Sequence, residues 1–191
     1  MVAQCVDGDV DAYATLVRRY EAAVYATAYC YVGRYGAAED VAQEAFFAAY
    51  RSLPRLRDPA RFGVWLRETT SRTAANWLRR HSGRLQTETP LPSRQTISIE
   101  DAREGPRGLL ERQERYERVQ AAIDALPERY RLPVVLRYLQ ELSYDEIAAF
   151  VGESRDEVRG ALQRAGRLLR EYLKAHDRPE EGETGWRRVR E

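Results

Sequence analysis

SYDEIAAFVGESRDEVRGALQRAGRLLREYL, from Ser143 to Leu173, decides the fold of this chain. Ser143 followed three residues later by Glu146 is a capping box, in which each side chain satisfies a backbone N–H orphaned at a helix start. The helix it opens carries Ile147, Ala148 and Val151 on one face and stops at Gly152. Ser154 with Glu157 repeats the device at once, and Val158, Leu162, Ala165, Leu169 and Tyr172 form the apolar stripe of a second helix. The small Ala148 lets the two helices approach, Gly152 permits the turn, and Val158 locks one against the other. Helix-turn-helix proteins present their second helix to the major groove in this way. An αα-hairpin that merely packs shares these internal signals. The outward face weighs towards nucleic acid: Arg159, Gln163 and Arg167 lie opposite the stripe, with Arg155 near the helix start, a set able to meet phosphates and base edges. Asp156 and Glu157 oppose that reading by placing carboxylates at the same end, although both suit a helix N-terminus.

Upstream, helical period continues through Leu109, Leu110, Tyr116, Val119, Ile123 and Leu126, stops at Pro127, and resumes at Leu132, Val135, Leu136 and Leu139, with Pro133 in the first turns. The N-terminal half predicts three more helices. The first runs from Asp11 to Tyr31 on Tyr13, Leu16, Val17, Tyr20, Val24 and Ala28, and Gly33 and Gly36 break it. The second carries Val41, Ala45, Phe46, Ala49 and Tyr50 and ends before Pro54. Asp58-Pro59 reads as an N-cap and first helical residue, opening a third helix striped by Phe62, Trp65, Leu66, Thr69, Thr73 and Trp77. Trp65 and Trp77 lie on this stripe, where core packing is expected ahead of base stacking. The fold class is all-α: a helical domain over residues 1–84, a Pro- and Ser-containing flexible linker over 85–108, a helix-turn-helix domain over 109–176 and a polar tail over 177–191.

The 191 residues carry 31 Lys+Arg against 30 Asp+Glu, a net charge of +1, yet nine arginines against Asp58 and Glu68 give residues 51–84 a charge of +7 and leave −6 for the rest. A basic block in an otherwise acidic chain is the footprint of nucleic-acid contact. Apolar residues make up 43%, enough for a core, and no stretch reads as a membrane span or a signal peptide, so a cytoplasmic protein is expected. Two cysteines, Cys5 and Cys30, and two histidines, His81 and His176, supply neither a metal site nor a disulfide framework. The sequence presents no phosphate-binding glycine loop, paired carboxylates or nucleophile–base set at a meaningful spacing, so neither catalysis nor a cofactor is expected.

Two further stretches extend the pattern: DVAQEAFFAAYRSL (Asp40 to Leu53) followed by DPARFGVWLRETTSRTAANWLRR (Asp58 to Arg80) resembles conserved region 2 of bacterial RNA polymerase sigma factors. ALPERYRLPVVLRYLQELSYDEIAAFVGESRDEVRGALQRAGRLLREYL (Ala125 to Leu173) resembles their region 4. With short spacing and no region 3 domain between them, the chain is similar to the extracytoplasmic-function group of the sigma-70 family. The resemblance implies a promoter-specificity subunit that joins core polymerase, reads promoter DNA at −35 and −10 elements and assists melting. It implies docking on the β′ clamp helices through Asp40, Gln43, Glu44, Phe47 and Arg51, with the β flap as a further polymerase partner, and an anti-sigma factor that covers these surfaces. It places −10 recognition, including a flipped base, on Arg55, Arg57, Arg61, Arg72, Asn76, Arg79 and Arg80, and −35 recognition on Ser154, Arg155, Arg159, Gln163 and Arg167.

The chain departs from the family's habit in four places. Arg72 stands where members often carry Asn, Asp156-Glu157 replaces Gly-Thr, and Ala161 and Gly166 occupy positions usually held by Arg. The recognition-helix changes remove positive charge, which bears on −35 affinity. Two other functions share the pattern: a sigma-like mimic that titrates an anti-sigma factor, and a free-standing helix-turn-helix regulator. A sigma factor needs polymerase for tight promoter binding, a regulator binds its operator alone, and a mimic does neither.

Overall fold

The computed structural model describes residues 1–6, 8–33, 35–85 and 106–176, and every regular element among them is helical. The linker expected over 85–108 falls almost wholly outside the described residues, and so does the tail over 177–191. Short α1 (Val2–Val6) precedes α2 (Val10–Val32), α3 (Tyr35–Ser52) and α4 (Phe62–Leu85), which pack on one another as a triangle. Asp9 caps α2 by accepting from the Ala12 N–H at 2.9 Å. Gly33 ends it in the left-handed region at φ 64°, donating to the Tyr29 carbonyl. Gly36 is no breaker; it lies in the first turn of α3. Asp58 caps a single 3-10 turn, Pro59–Arg61, and the α-helix proper starts at Phe62.

Small side chains recur where the helices of this triangle pack. Ala23, Ala26 and Ala28 on α2 and Ala38, Ala45 and Ala49 on α3 are buried, as is Ala74 on α4. Thr69, Thr70, Ser71 and Thr73 on α4 turn their hydroxyls back to carbonyls four residues earlier at 2.9–3.0 Å, so hydroxyls on its packed face are satisfied within the helix. Leu16, Val24, Leu53, Phe62 and Leu66 fill one end of the space between the helices.

In the second half, α5 (Pro106–Asp124), α6 (Glu128–Val134), α7 (Tyr144–Val151) and α8 (Arg155–His176) enclose Ile123, Leu126, Leu136, Ile147, Phe150, Val158 and Leu162. Pro133 lies in the second turn of α6 and lacks an N–H; the helix then widens into a π-turn over Val135–Leu139. Arg131 donates to the Asp124 carbonyl at 2.5 Å and the Leu126 carbonyl at 3.0 Å, which satisfies the end of α5. The two halves do not stand apart: a single buried cluster runs from Ala23, Tyr29 and Trp77 into Tyr130, Phe150 and Val158, with α2 against α6 and α4 against α7.

Candidate nucleic-acid interface

Both capping boxes form in full. The Ser143 N–H donates to Glu146 Oε2 at 2.8 Å while the Glu146 N–H returns to Ser143 Oγ at 3.3 Å. At α8 the equivalent distances between Ser154 and Glu157 are 2.7 and 3.2 Å. These hydrogen bonds hold both carboxyls below the ordinary glutamate value, led by the Ser143 hydroxyl for Glu146 and by the Ser154 backbone N–H for Glu157. Gly152 joins the helices at φ 81°, a left-handed conformation that favours glycine, and its N–H reaches the Ala148 carbonyl at 2.9 Å. With Ile147 and Val158 fully buried beneath, the outer face of α8 has a fixed orientation.

On that face Ser154, Arg155, Arg159, Gln163 and Arg167 are all exposed. Ser154 is occupied as a cap, its hydroxyl 2.7 Å from Glu157 Oε2. Arg155 lies 3.7 Å from Asp145 and Arg159 3.1 Å from Asp156, so carboxylates of the motif itself hold two of its cations. Such exposed pairs are weak and exchange readily for phosphate. Sequence reasoning passed over Arg129 and Arg164, which flank the Tyr130 ring at 4.5 and 5.9 Å and line a cleft of about 440 Å3 with Glu153 and Glu157. No periodicity rule joins residues on α6 and α8, so only the fold could bring this pair together.

The second basic surface starts in the loop before α4, where Arg55, Arg57 and Arg61 are exposed around the Asp58-capped turn. On α4, Arg72, Asn76, Arg79 and Arg80 follow at helical steps along an exposed face. Asn76 accepts a hydrogen bond from Arg79, one turn along the same exposed face. Trp77 is buried and stacks on His81 at 4.1 Å between ring centroids. Trp65 is half-buried against Phe62.

A third surface adjoins it on α3. Asp40, Gln43, Phe47 and Arg51 are exposed on one side while Val41, Ala45 and Ala49 face the core, and the Phe47 ring is 71% exposed. Tyr50, which sequence reasoning placed in the core, is also partly exposed and leans on Tyr13 with ring centroids 4.8 Å apart. Glu44 departs from its neighbours by pairing with Arg80 of α4 at 2.6 Å, which ties the acidic strip to the basic one.

Residues 16–84 match the family model described as Sigma-70 region 2, and residues 116–169 the one described as Sigma-70, region 4. The curated ECF RNA polymerase sigma-E factor of Escherichia coli is 34% identical over 173 residues, covering 86% of this chain and 88% of that protein. ECF RNA polymerase sigma factor SigE of Mycolicibacterium smegmatis is 34% identical over 161 residues, and the match covers 84% of this chain but 61% of the mycobacterial protein. Among solved structures, CnrH in complex with the cytosolic domain of CnrY superposes with a TM-score of 0.56 at 25% identity, over 91% of this chain and 95% of CnrH.

Proposed function

The chain belongs to the extracytoplasmic-function group of sigma-70 RNA polymerase sigma factors, and from that premise we propose how its surfaces divide the work. The strip Asp40, Gln43, Glu44, Phe47 and Arg51 docks on the β′ clamp helices of core polymerase, with the exposed Phe47 ring as its apolar anchor. The arginines around Asp58 and along α4 hold the −10 region, where each exposed guanidinium takes a phosphate of the strand being opened. The outer face of α8 reads the −35 element, Gln163 and Arg167 at base edges and Arg155 and Arg159 at the backbone. The β flap supports the second half on the enzyme. An anti-sigma factor is the regulatory partner, as the likeness to CnrH with its bound CnrY domain suggests.

One observation carries this division: the doubly capped α7–Gly152–α8 unit fixes an exposed set of arginines and a glutamine on one face of one helix. No helix among the described residues is long and apolar enough to cross a membrane, which fits a factor working beside polymerase in the cytoplasm. Transcription by core polymerase on fragmented genomic DNA tests the reading. New 5′ ends should appear on adding the chain and vanish with Arg155→Ala, Arg159→Ala and Arg167→Ala combined. Identical transcripts from that triple variant would overturn the assignment of α8.

A further inference from the structure

Between α5 and the last turns of α8 runs a groove of about 700 Å3, lined by Val119 and Ala121 from the first helix and by Tyr172, Leu173 and His176 from the second. Val119 is 46% exposed and Leu173 36%, apolar side chains that a packed helix pair ordinarily turns inward. The His176 ring stacks on Tyr172 with centroids 4.0 Å apart, and His176 Nδ1 donates to the Tyr172 carbonyl at 2.8 Å. His176 is both the last residue of α8 and part of the groove's lining, so the chain leaves the helix at the groove's own rim. DRPEEGETGWRRVRE, residues 177–191, continues from there. Pro179 is unsuited to extending α8, and the only aromatic or aliphatic side chains of the segment are Trp186 and Val189, three residues apart. A tryptophan carries about 150–250 Å2 to be buried, and so short and polar a segment has no core of its own to take it.

We infer that this groove is the seat of the chain's own tail, with Trp186 as the anchor and Val189 beside it. Reach is ample. Ten residue steps from His176 to Trp186 span up to about 33 Å, whereas the α5 wall from Glu114 to Ala121 is about 10 Å long. Gly182 and Gly185 permit the reversal of direction that seating requires. The nine intervening residues hold the ring near the groove at an effective concentration of about millimolar order, which favours it over a second copy or another protein at micromolar concentration. Charge agrees with this occupant. The tail runs from acidic, at Glu180, Glu181 and Glu183, to basic, at Arg187, Arg188 and Arg190, and the α5 wall alternates Glu114-Arg115 and Glu117-Arg118, so both parts meet opposite charge. Seated, the tail ties α5 to α8 and withholds the groove from other proteins. The inference is independent of which surfaces face polymerase and DNA.

Photocrosslinking of the full chain tests the seat directly. Purified protein at micromolar concentration with Trp186→benzoylphenylalanine, irradiated in the near ultraviolet and digested, should yield peptides joining position 186 to residues 114–121 or 172–176 within one chain. Crosslinks confined to other helices, or none to the groove, overturn the inference, and a crosslinked dimer assigns the groove to a second copy and overturns it equally. Fluorescence gives a second measurement on nearly unmodified protein. The emission of Trp186, taken as wild type minus Trp186→Phe, should be blue-shifted from N-acetyltryptophanamide in buffer and several-fold less quenched by acrylamide. Val119→Glu, at an exposed position, should return both readings to those of the free indole with the circular dichroism unchanged. Leu173→Glu on the facing helix replaces it if that variant unfolds. Solvent-like emission of Trp186 in the wild type, or emission that a folded groove variant leaves unmoved, refutes the seat.

Discussion

Arg80 stands where the basic and acidic strips meet, and the perturbation of choice is the loss of either partner in its 2.6 Å pair with Glu44. At that distance the bare attraction in water is about 1.6 kcal/mol, but the side chains are 54% and 44% exposed, and pairs of that kind measure about 0.2–1 kcal/mol. If Arg80 must leave Glu44 to take a phosphate, Glu44→Gln removes a competitor worth about 0.5 kcal/mol and should tighten promoter binding roughly twofold. Arg80→Ala removes the phosphate contact itself, and the slope of log K against log salt concentration should flatten by about 0.7–0.9. The assay is anisotropy of a labelled promoter fragment bound by holoenzyme at saturating core polymerase, from about 50 to 200 mM salt, for wild type, both single variants and the double. Glu44→Gln should keep the wild-type slope, and in the double variant its benefit should vanish, because nothing is left to release. A wild-type slope in Arg80→Ala refutes the phosphate contact. A Glu44→Gln gain that survives in the double variant refutes the competition.

Other consequences are equally accessible. Val158 is fully buried on the inner face of α8, so Val158→Ala, which deletes two methyl groups, should cost about 2 kcal/mol in urea unfolding followed by circular dichroism. Asp156 holds Arg159 at 3.1 Å and adds a carboxylate to the end of α8 proposed to meet DNA; Asp156→Ala should raise affinity for −35 fragments several-fold in the holoenzyme, at a cost of about 0.3–1 kcal/mol in helix stability. Because Glu146 and Glu157 titrate below the ordinary glutamate value in the folded chain, their caps contribute stability above the unfolded value and lose it as pH falls through the folded values. Glu146→Gln with Glu157→Gln should therefore flatten the acid limb of a stability–pH curve, and an unchanged limb would show that the caps do not govern it.

The helix-turn-helix was legible because its signals are local: two boxes of Ser and Glu three residues apart, and a glycine between them, specify backbone geometry without help from the rest of the chain. Signals that depend on length or distance were not. Helix α1 spans five residues, too few to show a period, and Gly36 was misread as a breaker because a glycine in a first helical turn looks the same in sequence. The turn at Pro59–Arg61 satisfies the same cap rule as an α-helix, so Asp58 marked the site but not the kind of helix. The π-turn at Val135–Leu139 widens the hydrogen-bond ring without breaking the apolar stripe. Of the candidate surfaces, Arg159, Gln163 and Arg167 are exposed opposite the apolar stripe of α8, where its period put them. The pairing of Glu44 with Arg80, 36 residues apart, and of Tyr29 with Gln120, 91 residues apart, needed the folded chain.

The alanine-lined seams between α2, α3 and α4 have an evolutionary corollary. At each buried alanine an added methylene must displace packed neighbours and costs about 1–3 kcal/mol, so substitution at these seams is disfavoured. The arginines, amides and carboxylates on the outside carry no such constraint and can be exchanged singly. Such a chassis can acquire a new genomic address while its skeleton stays still, which makes divergence of target genes inexpensive and divergence of the skeleton rare.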